Sequence, residues 1–162
     1  MKKQGQRKAM STCGFTCMQL FVSDKGYVFV VQMHSASEFP NDLRLFTKEV
    51  GVPMYLISNL HPSQKSKEVR QFCHKIGTTL RLLEESTQWA NQSEIYIGLF
   101  KESIRKDTLE ANTPLVFWDY CAERQAAITN MTANNLFQLQ GQNSHTATYG
   151  EQGDIYNICQ FG

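Results

Sequence analysis

The segment CMQLFVSDKGYVFVVQM, residues 17–33, constrains the fold more than any other part of this chain. Two β-rich runs flank Ser23-Asp24-Lys25-Gly26, which carries the turn chemistry of a hairpin. Apolar residues occupy both faces of the pair. Leu20 and Val22 lie on one face and Phe21 on the other, followed by Phe29, Val30 and Val31 in the returning run. A strand pair that is apolar on both faces needs cover on both, so this segment predicts a sheet sandwiched between helices.

The following segments supply that cover. Phe39, Leu43, Phe46 and Val50 recur at helical intervals, which predicts a helix from about Ala36 to Val50. Gly51 ends it and Pro53 prevents its resumption. MYLIS, residues 54–58, reads as a short buried strand. SQKSKEVRQFCHKIG, residues 63–77, reads as a helix with Val69, Phe72, Cys73 and Ile76 inward, and TTLRLL as another strand. Strand, helix and strand at this length predict a right-handed parallel crossover. Two longer helices follow. One runs from about Gln92 to Glu110. The other starts with Thr113 as N-cap and Pro114 at the first helical position, and continues to about Asn130. Residues 131–162 are polar and predict a helical turn near Asn134–Leu139 and then an irregular tail.

Composition narrows the function. The 162 residues hold 16 Lys and Arg against 15 Asp and Glu, so no global basic field announces a polyanion partner. MKKQGQRKAM concentrates cations at the start, and residues 1–12 read as a disordered basic terminus ahead of a core at 13–130 and a polar extension at 131–162. The five cysteines are odd in number and scattered, and no secretory signal precedes them; reduced thiols in a cytoplasmic or nuclear compartment follow. Cys13 and Cys17 lack the further ligands a zinc site needs. No apolar run approaches the roughly 20 residues of a membrane span. No nucleotide loop or nucleophile elbow is present.

What remains is positional. Asn59 lies at the carboxyl end of MYLIS, and Glu94 opens the apolar stripe of a helix 34 residues further on (94 − 59 − 1). Ligands of α/β sheets gather at strand carboxyl ends, so these two positions are predicted to share one cleft. Lys101 and Arg105 fall on the same side of that helix as Glu94. They read either as an anion-binding face or as a solvated face whose cations pair with Glu94 and Glu102.

VSDKGYVFVVQM, LFTKEVGVP, the strand ending at Asn59, WANQSEIYIGLFK and the closing YNICQFG, in this order, resemble the integrases of copia-type retrotransposons. These belong to the retroviral integrase superfamily and have a ribonuclease H-like fold. The resemblance spans roughly residues 11–162. It implies DNA integration by phosphoryl transfer, in which two Mg²⁺ ions roughly 3.5–4 Å apart activate the attacking hydroxyl and stabilise the leaving oxygen. An Asp, Asp, Glu set supplies the hard oxygen ligands such ions require.

On that pattern Glu94 takes the third carboxylate position, and the second falls on Asn59, a neutral amide. The first belongs on an opening strand ahead of Cys13–Leu20, where this sequence starts too late to contain it. Asp24 sits in the hairpin turn and reads as a turn residue. The usual proline-containing lead-in to the helix is Glu85-Ser86-Thr87-Gln88 here. The resemblance therefore implies a ribonuclease H-like mixed α/β sheet flanked by helices, without its first central strand. It further implies an incomplete Mg²⁺ site at Glu94, DNA contacts from Asn91, Lys101 and Arg105, possible homo-oligomers and no membrane partner. The expected protein is an inactive integrase fragment, with a non-catalytic nucleic-acid- or protein-binding pseudoenzyme as the alternative.

Overall fold

Ser23 builds the hairpin turn in the computed structural model, which describes residues 10–58, 61–83, 92–133 and 139–153. Its N–H donates to the Tyr27 carbonyl at 2.9 Å, and its own carbonyl accepts from the Gly26 N–H at 2.9 Å. Its hydroxyl also accepts from the N–H groups of Lys25 and Tyr27. Gly26 takes φ +71°, a left-handed angle that a side chain would oppose. Strands β1 (Cys17–Val22) and β2 (Val28–Met33) accordingly pair antiparallel, with Cys17 opposite Met33 and Val22 opposite Val28.

Helix α1 (Phe39–Glu49) follows a 3₁₀ turn over Ala36–Glu38, where one continuous helix was expected. Pro40 explains the break, because it has no N–H to donate to the Ala36 carbonyl. The N–H of Phe39 takes that carbonyl in a tighter turn instead. Strand β3 (Tyr55–Ser58), helix α2 (Lys67–Ile76) and strand β4 (Thr79–Leu82) form the parallel unit the sequence predicts. Helix α2 starts later than expected, since the Ser66 hydroxyl caps it by accepting from the Val69 N–H; Gly77 ends it at φ +76°.

Helix α3 occupies Gln92–Glu110 as predicted. Helix α4 is Trp118–Met131. Thr113 does not cap it. Pro114 instead precedes a 3₁₀ turn at Leu115–Phe117, held by the Phe117 N–H donating to the Pro114 carbonyl. Nor is the region after residue 131 wholly irregular, because helix α5 covers Ser144–Tyr149. Asn143 caps its start, its Oδ1 accepting from the Thr146 N–H at 2.7 Å, and Gly150 closes it at φ +80°. The helical turn expected near Asn134–Leu139 lies outside the described residues except for buried Leu139. At the other end, Ser11 is buried and the Thr12 N–H donates to the Val116 carbonyl, so residues 11 and 12 belong to the folded domain rather than to a loose terminus.

Three core clusters result, one on one face of the hairpin and two on the other. Phe21 and Val31 pack with Phe39, Leu43, Phe46, Val69 and Cys73, and the Phe21 ring stacks on that of Phe46 with centroids 4.8 Å apart. Leu20 and Val28 pack with Phe100 and Ala126 on the opposite face. The sheet between them is split. Strand β1 pairs with β2 and β3 with β4, and no ladder joins the two pairs among the described residues. MYLIS is consequently not a buried strand throughout. Leu56 packs into the first core, but Tyr55 and Ile57 are each about half exposed. No described helix is long and apolar enough to cross a membrane.

Candidate functional site

The outer edge of β2 fixes which backbone groups point where. Asn130, buried on α4, accepts from the Val28 N–H at 2.7 Å and donates to the Val28 carbonyl at 2.8 Å. Val28 thus spends both backbone groups away from β1. In an antiparallel pair the two opposed residues behave alike and the pattern alternates. Val22, opposite Val28, therefore turns its N–H and carbonyl away from β2, and so do Leu20 and Met18. In β3 the carbonyls of Met54 and Ser58 accept from the N–H groups of Thr79 and Leu83. The intervening residues Tyr55 and Ile57 direct their backbone groups away from β4 by the same alternation.

These two outward edges line one cleft of about 750 Å³. Phe21, Phe39, Phe46 and Leu56 form its wall on the α1 side, and Ile97 and Ser93 of α3 contribute to the opposite side. Polar contacts among the described residues run from β1 to the loop before α2 and on to β3. The Gln19 side chain donates to the Leu20 carbonyl at 2.9 Å, one of the outward-facing groups. Gln64 reaches across from the loop before α2, its Nε2 donating to the Gln19 Oε1 at 3.4 Å. The Ser58 hydroxyl donates to the Gln64 Oε1 at 2.6 Å. This Gln19–Gln64–Ser58 bridge had no sequence signature, since nothing local marks two glutamines 45 residues apart as partners.

Asn59 and Asn91 lie outside the described residues. Ser58 and Ser93 both line the cleft. Glu94 is exposed in the first turn of α3. Lys101 and Arg105 are exposed further along the same helix. Its charge pairs are Glu102 with Lys106 at 3.2 Å and Asp107 with Arg124 of α4 at 3.5 Å. Lys101 and Arg105 join no ion pair among the described residues. Lys101 also borders a second hollow of about 400 Å³ with Thr16, Cys17, Leu115 and Trp118.

Other chemistry is weaker. Burial raises the thiols of Cys73 and Cys121, which makes both poor nucleophiles. Among the described residues, no group of three or more His, Cys, Asp or Glu side chains is placed to hold a metal ion. Glu94 and the amide of Asn59 together offer one anionic ligand at the expected positions. That donor set does not fit a two-Mg²⁺ centre, which draws on several carboxylates.

Helices flank two small sheets here, and the arrangement has the ribonuclease H-like fold of its structural neighbours. More specifically, it is the fold of retroviral integrase catalytic cores. The catalytic core domain of HTLV-2 integrase in complex with magnesium, in a trimeric form, matches 82% of this chain over 84% of its own, with TM-score 0.62 and 19% identity. The integrase core of BIV matches with TM-score 0.62 and 12% identity, covering 81% of this chain and 84% of its own. The intasome of simian T-cell lymphotropic virus in complex with the PP2A regulatory subunit B56 gamma matches with TM-score 0.66 and 16% identity, covering 85% of this chain and 49% of that one. No protein-family model matches the sequence, and no curated protein matches it. At such identities the likeness is one of fold.

Proposed function

We propose that this chain is a catalytically inactive integrase core of copia-type retrotransposon origin, which keeps a DNA-binding face on α3. The observation that carries the reading is Asn59, an amide at the position where the integrase pattern places its second carboxylate, 34 residues before Glu94. The integrase-core fold supports it, as do Ser58 and Ser93, which bring the chain neighbours of both positions to one cleft.

The energetics favour loss of chemistry. A carboxylate and a cation about 4 Å apart attract by roughly 4 kcal/mol at an effective dielectric of 20, before the second charge of Mg²⁺ is counted. An amide oxygen forgoes that attraction. Mg²⁺, the ion present with the HTLV-2 core, is the cofactor the ancestral activity would have used. What this chain retains is a helix face, where Lys101 and Arg105 are exposed and unengaged by carboxylates among the described residues. That favours nucleic-acid binding without catalysis. Homo-oligomers belong to the same reading. HTLV-2 cores are described in dimeric and trimeric forms, and here Leu115, Val116, Phe117 and Tyr120 form an exposed apolar run at the start of α4.

A strand-transfer and 3′-processing assay on DNA ends, with Mg²⁺ or Mn²⁺, tests the proposal. It predicts no product from the wild-type chain and none from Glu94→Gln. Metal-dependent product that disappears in Glu94→Gln would overturn it, with Asp24 and Asp42 then the next ligand candidates.

A further inference from the structure

We infer that the solvent side of α3 is the interface of an antiparallel dimer, in which this helix packs against α3 of a second copy of the chain. The inference stands on the helix face alone and holds whether or not the chain binds or joins DNA. A helix on the surface of a domain ordinarily carries one apolar stripe, turned to the core. Phe100 and Ile104 belong to that stripe here, 1% and 8% exposed. Helix α3 carries a second. Ile95, Leu99 and Leu109 are 61%, 55% and 69% exposed. At about 100° per residue they fall within about 80° of one another, on the side turned away from Phe100 and Ile104.

Charge selects the partner and its direction. Glu102 and Lys106, four residues apart and paired at 3.2 Å, lie in the same stripe between Leu99 and Leu109. A second α3 running parallel and in register would set Glu102 against the partner's Glu102 and Lys106 against the partner's Lys106, like against like. Running antiparallel about a two-fold axis level with position 104, it sets Glu102 against the partner's Lys106 and Lys106 against the partner's Glu102. The same operation brings Leu99 against the partner's Leu109, because both pairs of positions are centred on 104. Ile95 lies one turn further out, beside the same leucine. The face is complementary to itself, as a two-fold interface requires.

Size sets the strength. A helix of 19 residues is about 28 Å long and roughly 10 Å wide, so one face offers on the order of 300 Å² per copy, against about 800 Å² in a standard stable interface. The dimer is accordingly weak, with a dissociation constant on the order of 0.1 mM. Lys101 and Arg105 lie roughly 80–120° around the helix from the centre of the stripe, so dimerisation leaves both open to DNA.

Sedimentation equilibrium of the intact chain, from about 10 μM to about 1 mM, tests the interface. The wild type should pass from monomer toward dimer across that range. Leu99→Asp with Leu109→Asp should stay monomeric, with unchanged helix content by circular dichroism. Glu102→Lys and Lys106→Glu should each weaken association at least about tenfold alone. A mixture of those two variants should restore it as a heterodimer, because each supplies the charges the other lacks. A wild type still monomeric at about 1 mM, association that survives both aspartates, or a mixture no more associated than its components would overturn the inference.

Discussion

Asp42 lies in the first turn of α1 with 6% of its surface exposed, and its Oδ2 accepts no hydrogen bond from the described residues. Burial, with the nearby Glu38 carboxylate, pushes its pKa from 3.8 up to about 6. The folded chain holds this proton more tightly than the unfolded chain, so the contribution is fully present below about pH 4 and is lost as pH rises through about 6. Asp42→Asn should therefore stabilise the protein by roughly 1–2 kcal/mol near pH 7.5 and by much less near pH 4, discounting the shift for partial solvent screening. Urea midpoints of both proteins at the two pH values check this. An equal difference at both would assign the effect to packing. The sequence did not mark Asp42 as buried, because a carboxylate in the first turn of a helix is ordinarily solvated. Cys73, in contrast, was legible as a packing residue from its helical phase alone, and it lies in the first core.

At the scale of elements, α3 is where the sequence was most informative and where function can be tested most simply. Its bounds followed from periodicity, and so did the shared side of Glu94, Lys101 and Arg105. The partner of Glu102 was less accessible, because Arg105 and Lys106, three and four residues on, compete for the same carboxylate and only the fold decides between them. Lys101→Ala with Arg105→Ala should weaken DNA binding and flatten its salt dependence, by about one unit of logarithmic slope for each phosphate no longer neutralised. Binding across a salt series reads this directly. An unchanged slope would return that face to ordinary solvated charge.

Helix α5 was missed because its six residues, SHTATY, carry almost no apolar period. Its signals were the caps, Asn143 and Gly150. It is held by contacts distant in sequence, with Tyr149 donating to the Tyr27 hydroxyl and Lys25 to the Ala147 carbonyl. Tyr149→Phe should loosen this attachment of the hairpin tip. The loss should be on the order of 0.5–1.5 kcal/mol, measured by denaturant unfolding.

Across the whole molecule, the governing feature is the division of the sheet. The hairpin and the parallel crossover were both legible, since each is specified locally by turn chemistry and helical period. The exposure of Tyr55 and Ile57 was not, because burial of a strand depends on neighbours its own sequence does not contain. The division predicts a marginally stable domain. Among the described residues the outward-facing strand edges join no further ladder, and each ladder bond forgone is worth about 1 kcal/mol against a total of roughly 5–15 kcal/mol for a folded domain. Two such edges also make self-association along β1 and β3 the expected route to aggregation.

Amide hydrogen exchange along β1, resolved by residue, tests the split sheet most directly. Gln19 and Phe21 face β2 and should exchange slowly, whereas Met18, Leu20 and Val22 face the cleft and should exchange at least about tenfold faster, in strict alternation. Uniform protection from Met18 to Val22 in the monomeric chain would mean that β1 is paired on both edges, and the account of two half-sheets around an open cleft would be wrong.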